Sequence, residues 1–407
     1  MNRSAGFSPA LSVVTERVDD VGPLLEWMSP RHPQAFIRNG DGIVAYGERA
    51  SFMHQGIDRI AYLADWWREL TSRATIDDPI GLPGTGLVGM GSFAFSDASA
   101  SPSHLVVPST IIGRRDGISW ITRIDGGFDQ GRTPLHRGYA VDLQPGRMTD
   151  FTGAVATAVA RIRAGEASKV VLARDLVGRI PKMADLRPIV DRLARAYPDT
   201  FTFALHGLIG SSPETLVRVR DGVASARVLA GSAARGSDAA ADAQVALSLA
   251  ASPKDLAEHA FALASLVDAL EPHTSGVTAA GHPFALKLPN LWHLATDVSA
   301  TLTDGSSSLD LVAALHPTAA VAGSPTSDAL RIIAELERFD RGRYAGPVGW
   351  VDANGDGEWA VALRCAQFTE YDDVTAYAGA GIVADSVPAQ ELAETELKFL
   401  PIRGALS

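Results

Sequence analysis

Residues 1–145 read as short strands laid down one after another, and that run of strands weighs against a fold built from alternating βαβ units. The segments 35–38, 42–46 and 103–108 are apolar and bounded by turn residues. The segment 117–122 alternates apolar and polar with the period of a half-buried strand. A single helix is expected among them, over 57–72, with Trp66 and Trp67 near its end.

After Thr149 the pattern changes. A helix is expected over 150–164, ended by Gly165, and then a short apolar strand over 169–173 that a lysine opens. A helix over 183–196, a strand over 201–206 and a hairpin over 215–229 follow. The Ala-rich stretch 238–270 is expected to be helical, broken near Ser252-Pro253. Next come a helix over 328–337, strands over 347–352 and 358–366 flanking the turn Ala353-Asn-Gly-Asp-Gly357, a strand over 375–377, a glycine turn, and a helix over 389–399. No repeat period or low-complexity linker separates these pieces. Strands in runs with interspersed helices point to a layered α+β fold.

Charge and composition narrow the function. The formal charge is −11 and no Lys/Arg run occurs, which argues against a nucleic-acid partner. An anionic ligand would therefore need a positive site assembled locally. Cys365 is the sole cysteine, so no intramolecular disulfide can form, and its apolar strand context assigns it to packing. No stretch reaches the roughly 18 to 20 apolar residues that span a bilayer. The N-terminus lacks the apolar core of a secretory signal, so a soluble cytoplasmic protein is expected.

Several groupings carry possible chemistry. Asp255 and Glu258 stand one helical turn apart, as do Glu391 and Glu394, with Lys398 one turn beyond. The spacing admits a solvated helical face, or a hard-cation site in which two helices present carboxylates to Mg²⁺. Gly379-Ala-Gly381-Ile-Val-Ala384 imitates a dinucleotide fingerprint, but the second strand with its acid has no room to follow. What remains is an anion nest at a glycine turn. Asp352-Ala-Asn-Gly-Asp356-Gly357 starts like a calcium loop but has Leu363 where the bidentate Glu belongs, so a hairpin turn is expected. No histidines show zinc-ligand spacing, and no G-x-S-x-G elbow occurs. Lys169, heading an apolar strand, would be partly desolvated and so suited to act as a base.

Taken in order, the motifs resemble those of the chorismate-binding enzymes, in their isochorismate synthase branch. They are Lys169-Val-Val-Leu-Ala-Arg174, Gly210-Ser-Ser-Pro-Glu214, Leu229-Ala-Gly-Ser-Ala-Ala-Arg-Gly236, Ser252-Pro-Lys-Asp-Leu-Ala-Glu258-His259, His293-Leu-Ala-Thr296, Leu315-His-Pro-Thr-Ala-Ala-Val321, Phe339-Asp-Arg-Gly-Arg-Tyr344, Ala362-Leu-Arg364, and Gly379-Ala-Gly381 through Glu391-Leu-Ala-Glu394-Thr-Glu-Leu-Lys398. Lys169, where ammonia-using relatives carry Gln, and Ala230, where others carry a nucleophilic lysine, both point to water as the nucleophile.

The resemblance implies an anthranilate synthase component I-like α+β fold, two large antiparallel sheets packed face to face with helices outside. Residues 1–145 would form its variable half and 146–407 its catalytic region, in one structural domain. It implies that Lys169 deprotonates water and Glu214, kept neutral, protonates the departing hydroxyl. Mg²⁺ would be held by Glu258 and Glu394 with Glu391 and Asp255 in or near its water shell. Arg364, Tyr344, Gly381, Lys398, His293, Ser232 and Ala320 would bind substrate. The alternative within the family is a salicylate synthase, which goes on to eliminate pyruvate. The expected product feeds menaquinone or siderophore biosynthesis, from a monomer without an amidotransferase subunit. The chain departs from the family pattern at Ala319, at Ala322-Gly323 and at Ser232-Ala-Ala-Arg235, all beside the expected site.

Overall fold

A computed structural model describes residues 10–135, 138–287 and 291–407, apart from the side chains of Ser232 and Leu291. Among the described residues there are eight α-helices: α1 (Arg59–Arg73), α2 (Phe151–Arg163), α3 (Arg187–Ala196), α4 (Ala239–Ala250), α5 (Pro253–Leu270), α6 (Ser308–Leu315), α7 (Thr326–Leu336) and α8 (Pro388–Ala405). Their starts follow from local chemistry. The Asp150 carboxylate accepts from the Gly153 N–H at 2.9 Å to open α2, and the Ser252 hydroxyl accepts from the Asp255 N–H at 3.3 Å to open α5, with Pro253 in the first turn. The helix expected over 183–196 begins only at Arg187, because Pro188 is tolerated in a first turn and not in an interior.

The strands form a 13-stranded and a 10-stranded sheet. Pairing is antiparallel throughout except between Ser12–Val18 and Thr75–Asp77, which run parallel. Both sheets mix strands from the two parts of the chain. In the first, Phe201–Leu205 pairs with Gln34–Arg38; in the second, Pro347–Asp352 pairs with Val88–Ser92.

Period-two alternation divides the first sheet's side chains between two cores. Phe36, Ile43, Phe203 and Leu208 pack in one core with Val217, Trp350 and Trp359 of the second sheet. Their neighbours Ile37, Val44, Ala204 and Ile209 enter a second core with Ile189, Val190 and Leu193 of α3 and Phe399 and Ile402 of α8. The sheets thus meet face to face with helices on the outside. Each fully buried apolar side chain stabilises this arrangement by about 2 kcal/mol.

Two expected strands change shape. The segment 358–366 is not one strand: Gly357–Val361 belongs to the second sheet and Cys365–Phe368 to the first. Between them Arg364 takes a φ of 50°. The strand expected over 375–377 runs over Asp373–Ile382 and pairs along its length with Lys169–Arg179. Gly379 and Gly381 are therefore interior strand residues, and the expected glycine turn with its anion nest is not there.

Candidate active site

A cavity of about 350 Å³ opens where the strands Lys169–Arg179 and Asp373–Ile382 of the first sheet face α5, α8 and the loop carrying Ala320 and Val321. Lys169 and Val171 line it from one strand; Tyr377, Gly379 and Gly381 line it from the other. A methyl group on Gly381 would sit 3.0 Å from the Lys169 side-chain Cε, and one on Gly379 would sit 3.2 Å from the Tyr344 hydroxyl. Those two glycines keep the cavity open. Their signal in the sequence was steric, with no nest involved.

Lys169 stands at the head of its strand with its side chain only 17% exposed, and its ammonium donates to Glu258 Oε1 at 2.6 Å. The partial desolvation was expected from sequence; the ion pair was not. Glu214 occupies the short link between Leu208–Ser212 of the first sheet and Thr215–Arg220 of the second. Burial pushes its carboxyl up to about 7, against the pull of Lys169, Lys398 and Arg364. It is thus balanced to hold a proton near neutrality.

Arg364 sits at the break between the two sheets. Burial lowers its affinity for its proton, and Tyr344 and Glu394 oppose that. Among the described residues no acceptor is hydrogen-bonded to its guanidinium, which leaves the planar fork available to a carboxylate. Burial moves Tyr344 upward from the usual phenol range, so it stays a neutral hydroxyl. His293 is pushed down to about 4 by burial, with Lys398 and Arg364 adding to the shift, and is a neutral imidazole. Lys398 is likewise lowered by burial; it donates to Glu394 Oε1 at 2.6 Å and to the Gly379 carbonyl at 2.8 Å. The intrahelical Glu394–Lys398 pair that spacing allowed does form, inside the cavity.

Four carboxylates converge from two helix N-termini: Asp255 and Glu258 on α5, Glu391 and Glu394 on α8. Burial raises Glu391. It would raise Glu394 as well, but the neighbouring Lys398 brings that group below its usual value. All four donors are carboxylate oxygens, the set a hard cation takes. Two of them already hold a positive charge, supplied by the Lys169 and Lys398 ammonium groups. The residues therefore fit a divalent cation. They do not form a ready-made cage, since among the described residues no three His, Cys, Asp or Glu side chains are grouped for metal binding.

Ala320 lies on the wall as expected, and the Ser232 side chain lies outside the described residues. Sequence reasoning missed Lys254, Gln390 and Tyr377, all of which line the cavity. Lys254 was visible inside Ser252-Pro-Lys-Asp, and Tyr377 follows from the alternation that places Gly379 and Gly381. In the cavity wall, the buried Arg341 donates to Glu337 at 2.6 Å, to the Val171 carbonyl at 2.7 Å and to the Val321 carbonyl at 2.9 Å. That network ties the Ala320 loop to the Lys169 strand.

No described helix is long and apolar enough to cross a membrane. A sequence profile of the family described as chorismate binding enzyme matches residues 133–407. The isochorismate synthase DhbC of Bacillus subtilis is 35% identical over 323 residues, covering 76% of this chain and 78% of that protein. MenF, the menaquinone-specific isochorismate synthase from Escherichia coli, superposes with a TM-score of 0.82 at 25% identity over 98% of this chain and 95% of that one. Anthranilate synthase component I from Streptococcus pneumoniae shares the fold, with a TM-score of 0.69 at 21% identity over 97% and 92% of the two chains. The motifs that line the cavity, the sheet architecture around it and these likenesses agree, and the chain belongs to the chorismate-binding enzymes.

Proposed function

We propose that the protein is an isochorismate synthase, an isomerase that interconverts chorismate and isochorismate. The observation that carries this reading is the pairing, on the walls of one cavity, of the Lys169 amine with a Glu214 carboxyl raised to about 7. Lys169, once its ammonium has given up a proton and stands as the free amine, takes a proton from water as that water attacks ring carbon 2. Glu214 protonates the hydroxyl leaving ring carbon 4, which its buried, protonated state suits it to do. Arg364 grips the enolpyruvyl carboxylate in a bidentate manner, with Tyr344, Lys398 and the Gly381 N–H beside it. His293, neutral, and Ala320 line the ring pocket.

Glu258 and Glu394 would hold Mg²⁺, with Glu391 and Asp255 in or near its water shell. When bound, the cation neutralises the substrate's ring carboxylate and so counters the acidity of this mouth. The enzyme works on chorismate alone, as a monomer without an amidotransferase subunit, since water is the nucleophile.

The test is to incubate the purified protein with chorismate, with and without Mg²⁺, and to separate the products by chromatography. Mg²⁺-dependent isochorismate without pyruvate is the expected result. Salicylate with equimolar pyruvate would move the enzyme to the pyruvate-eliminating branch. Unchanged chorismate would end the reading of Lys169 and Glu214 as base and acid.

A further inference from the structure

The half of α5 that carries Asp255 and Glu258 has little beneath it to lean on. All 18 residues of the helix are described, and of these His259, Leu266 and Leu270 are buried, so the segment 253–265 places one side chain in the interior, that of His259. A recess of about 360 Å³, continuous with the main cavity through Lys169 and Glu258, borders this half at Ala257, Phe261 and Ala262. Another of about 50 Å³ borders it at Ala262 and Ser265. Dispersion fades across such gaps, so apolar contact alone does not fix this half of the helix against the sheet.

Hydrogen bonds do. His259, 2% exposed, meets the Ala230 carbonyl with Nδ1 at 3.2 Å and the Thr296 hydroxyl with Nε2 at 2.7 Å. A carbonyl can only accept, so Nδ1 carries the hydrogen, and in the neutral ring Nε2 accepts from the hydroxyl. Ala230 lies on the strand Val223–Ala234 and Thr296 on Leu291–Leu302. Between these strands the register shifts at Gly231, because Ala230 opposes Leu294 and Ser232 opposes His293. Gly231 is the extra residue of a β-bulge. The helix comes close here, since a methyl on Gly231 would sit 3.0 Å from the Asp255 Cβ. From the cavity side the His293 ring hydrogen-bonds the Gly231 backbone. Two imidazoles thus grip consecutive residues of one bulge, one from the helix that bears the carboxylates and one from the pocket wall.

We infer that His259 is a positioning residue for the cation site: it pins α5 to the bulge and so sets where Glu258 and Asp255 stand relative to Lys169 and the ring pocket. The inference rests on the reading in which those carboxylates hold Mg²⁺. Successive helix residues diverge by roughly 100°, so with His259 turned into the sheet Glu258 is turned along it, where it accepts from the Lys169 ammonium at 2.6 Å. Mg²⁺ takes its oxygens at about 2.1 Å in a strict geometry, so a small drift of an unpinned helix costs affinity. The bulge passes the same setting to His293, which ties the cation half of the cavity to the substrate half.

Three variants test this. His259→Phe keeps a ring and removes both bonds. His259→Asn puts an amide N–H where the Nδ1–H stood. Leu270→Ala loosens the far end of α5 instead. Each is checked for fold by circular dichroism, titrated with Mg²⁺ alone in a calorimeter, and then assayed with chorismate. His259→Phe should weaken Mg²⁺ binding about tenfold and lower kcat, and His259→Asn should bring Mg²⁺ binding back near the wild-type value. Leu270→Ala should lower the melting temperature as much as His259→Phe does and bind Mg²⁺ as wild type. Wild-type Mg²⁺ affinity in His259→Phe, equal weakening in Leu270→Ala, or no rescue by Asn overturns the proposal, and the histidine then only holds up the fold. If His259→Phe does not fold, Thr296→Val takes its place, removing the Nε2 bond from the opposite side, with weakened Mg²⁺ binding expected. The calorimetric arm needs no turnover, so failure of the isochorismate synthase reading shows separately, as Mg²⁺ uptake without product. Wild-type protein that takes up no Mg²⁺ overturns the positioning role itself.

Discussion

Strands from residues 10–135 and strands from residues 138–407 lie side by side in the same sheets, but they differ in what they contribute. Every described residue that lines the main cavity is Lys169 or later in the chain. The earlier part supplies one end of each sheet: Gln34–Arg38 and its neighbours continue the first from Phe201–Leu205, and Val88–Ser92 continues the second from Pro347–Asp352. The earlier part is therefore scaffold and the later part carries both scaffold and chemistry. Stability and activity should separate accordingly, and that separation can be tested.

The largest effect is expected from cutting the two apart. Residues 146–407 expressed alone would leave two central strands as bare edges and open the core that Phe36 and Ile43 fill, so the fragment should show no cooperative thermal unfolding. A sharp calorimetric transition from it would mean that the later part is a domain in its own right. Within the whole chain, Lys169→Ala and Glu214→Gln should each lower kcat by about 10³-fold with a melting temperature near wild type, read by chorismate turnover and scanning calorimetry. Ile43→Ala, at a buried position of the earlier part, should cost about 3 kcal/mol in urea unfolding and leave kcat of the folded enzyme unchanged. A loss of kcat there would break the division between scaffold and chemistry.

The effects then become finer. Gly381→Ala places a methyl 3.0 Å from Lys169 Cε, so kcat should fall about tenfold without loss of stability, since the base is displaced rather than removed. Asp352 sits in the second sheet beside Val88, where the two parts meet, and burial, with help from Asp356, pushes its carboxyl up to about 7. Its folded pKa lies above its unfolded value, so the folded state binds the extra proton. Stability therefore falls as pH rises from about 4 towards about 7. Asp352→Asn should raise the melting temperature by about 2–4 °C at pH 8 and leave it unchanged at pH 4. A gain of the same size at both values would show that charge plays no part.

What the sequence made legible was local. The helix over 150–164, the break at Ser252-Pro253 and the period-two strands of the earlier part all depend on near neighbours, and so do the motif residues on α5 and α8. What it hid was membership. Val361-Ala-Leu-Arg-Cys365 contains no Gly or Pro to announce a break, so it reads as one strand, although its two ends hydrogen-bond in different sheets. The positive φ falls on Arg364, a residue type that rarely adopts it, and only the long-range pairing partners impose it. Likewise the glycines at 379 and 381 have a turn-former's composition, and a paired neighbour strand overrides it. The Lys169–Glu258 pair joins residues far apart in the chain, beyond the reach of any periodicity.

Arg364 shares its situation with Glu214, because both occupy places where the chain steps from one sheet to the other, and the two steps are bonded to each other. The Val361 N–H donates to the Glu214 carbonyl at 3.1 Å, and the Ser211 N–H donates to the Arg364 carbonyl at 3.3 Å. Mechanically this is a rivet through two plates. If the sheets slide or breathe against one another with temperature, the acid and the arginine travel together and their spacing is conserved. Lys169, fixed inside one plate, moves relative to both. The tolerance that heat consumes first is thus the distance from Lys169 to Glu214, so on the proposed roles the hold of Arg364 on a carboxylate outlasts the alignment for proton transfer.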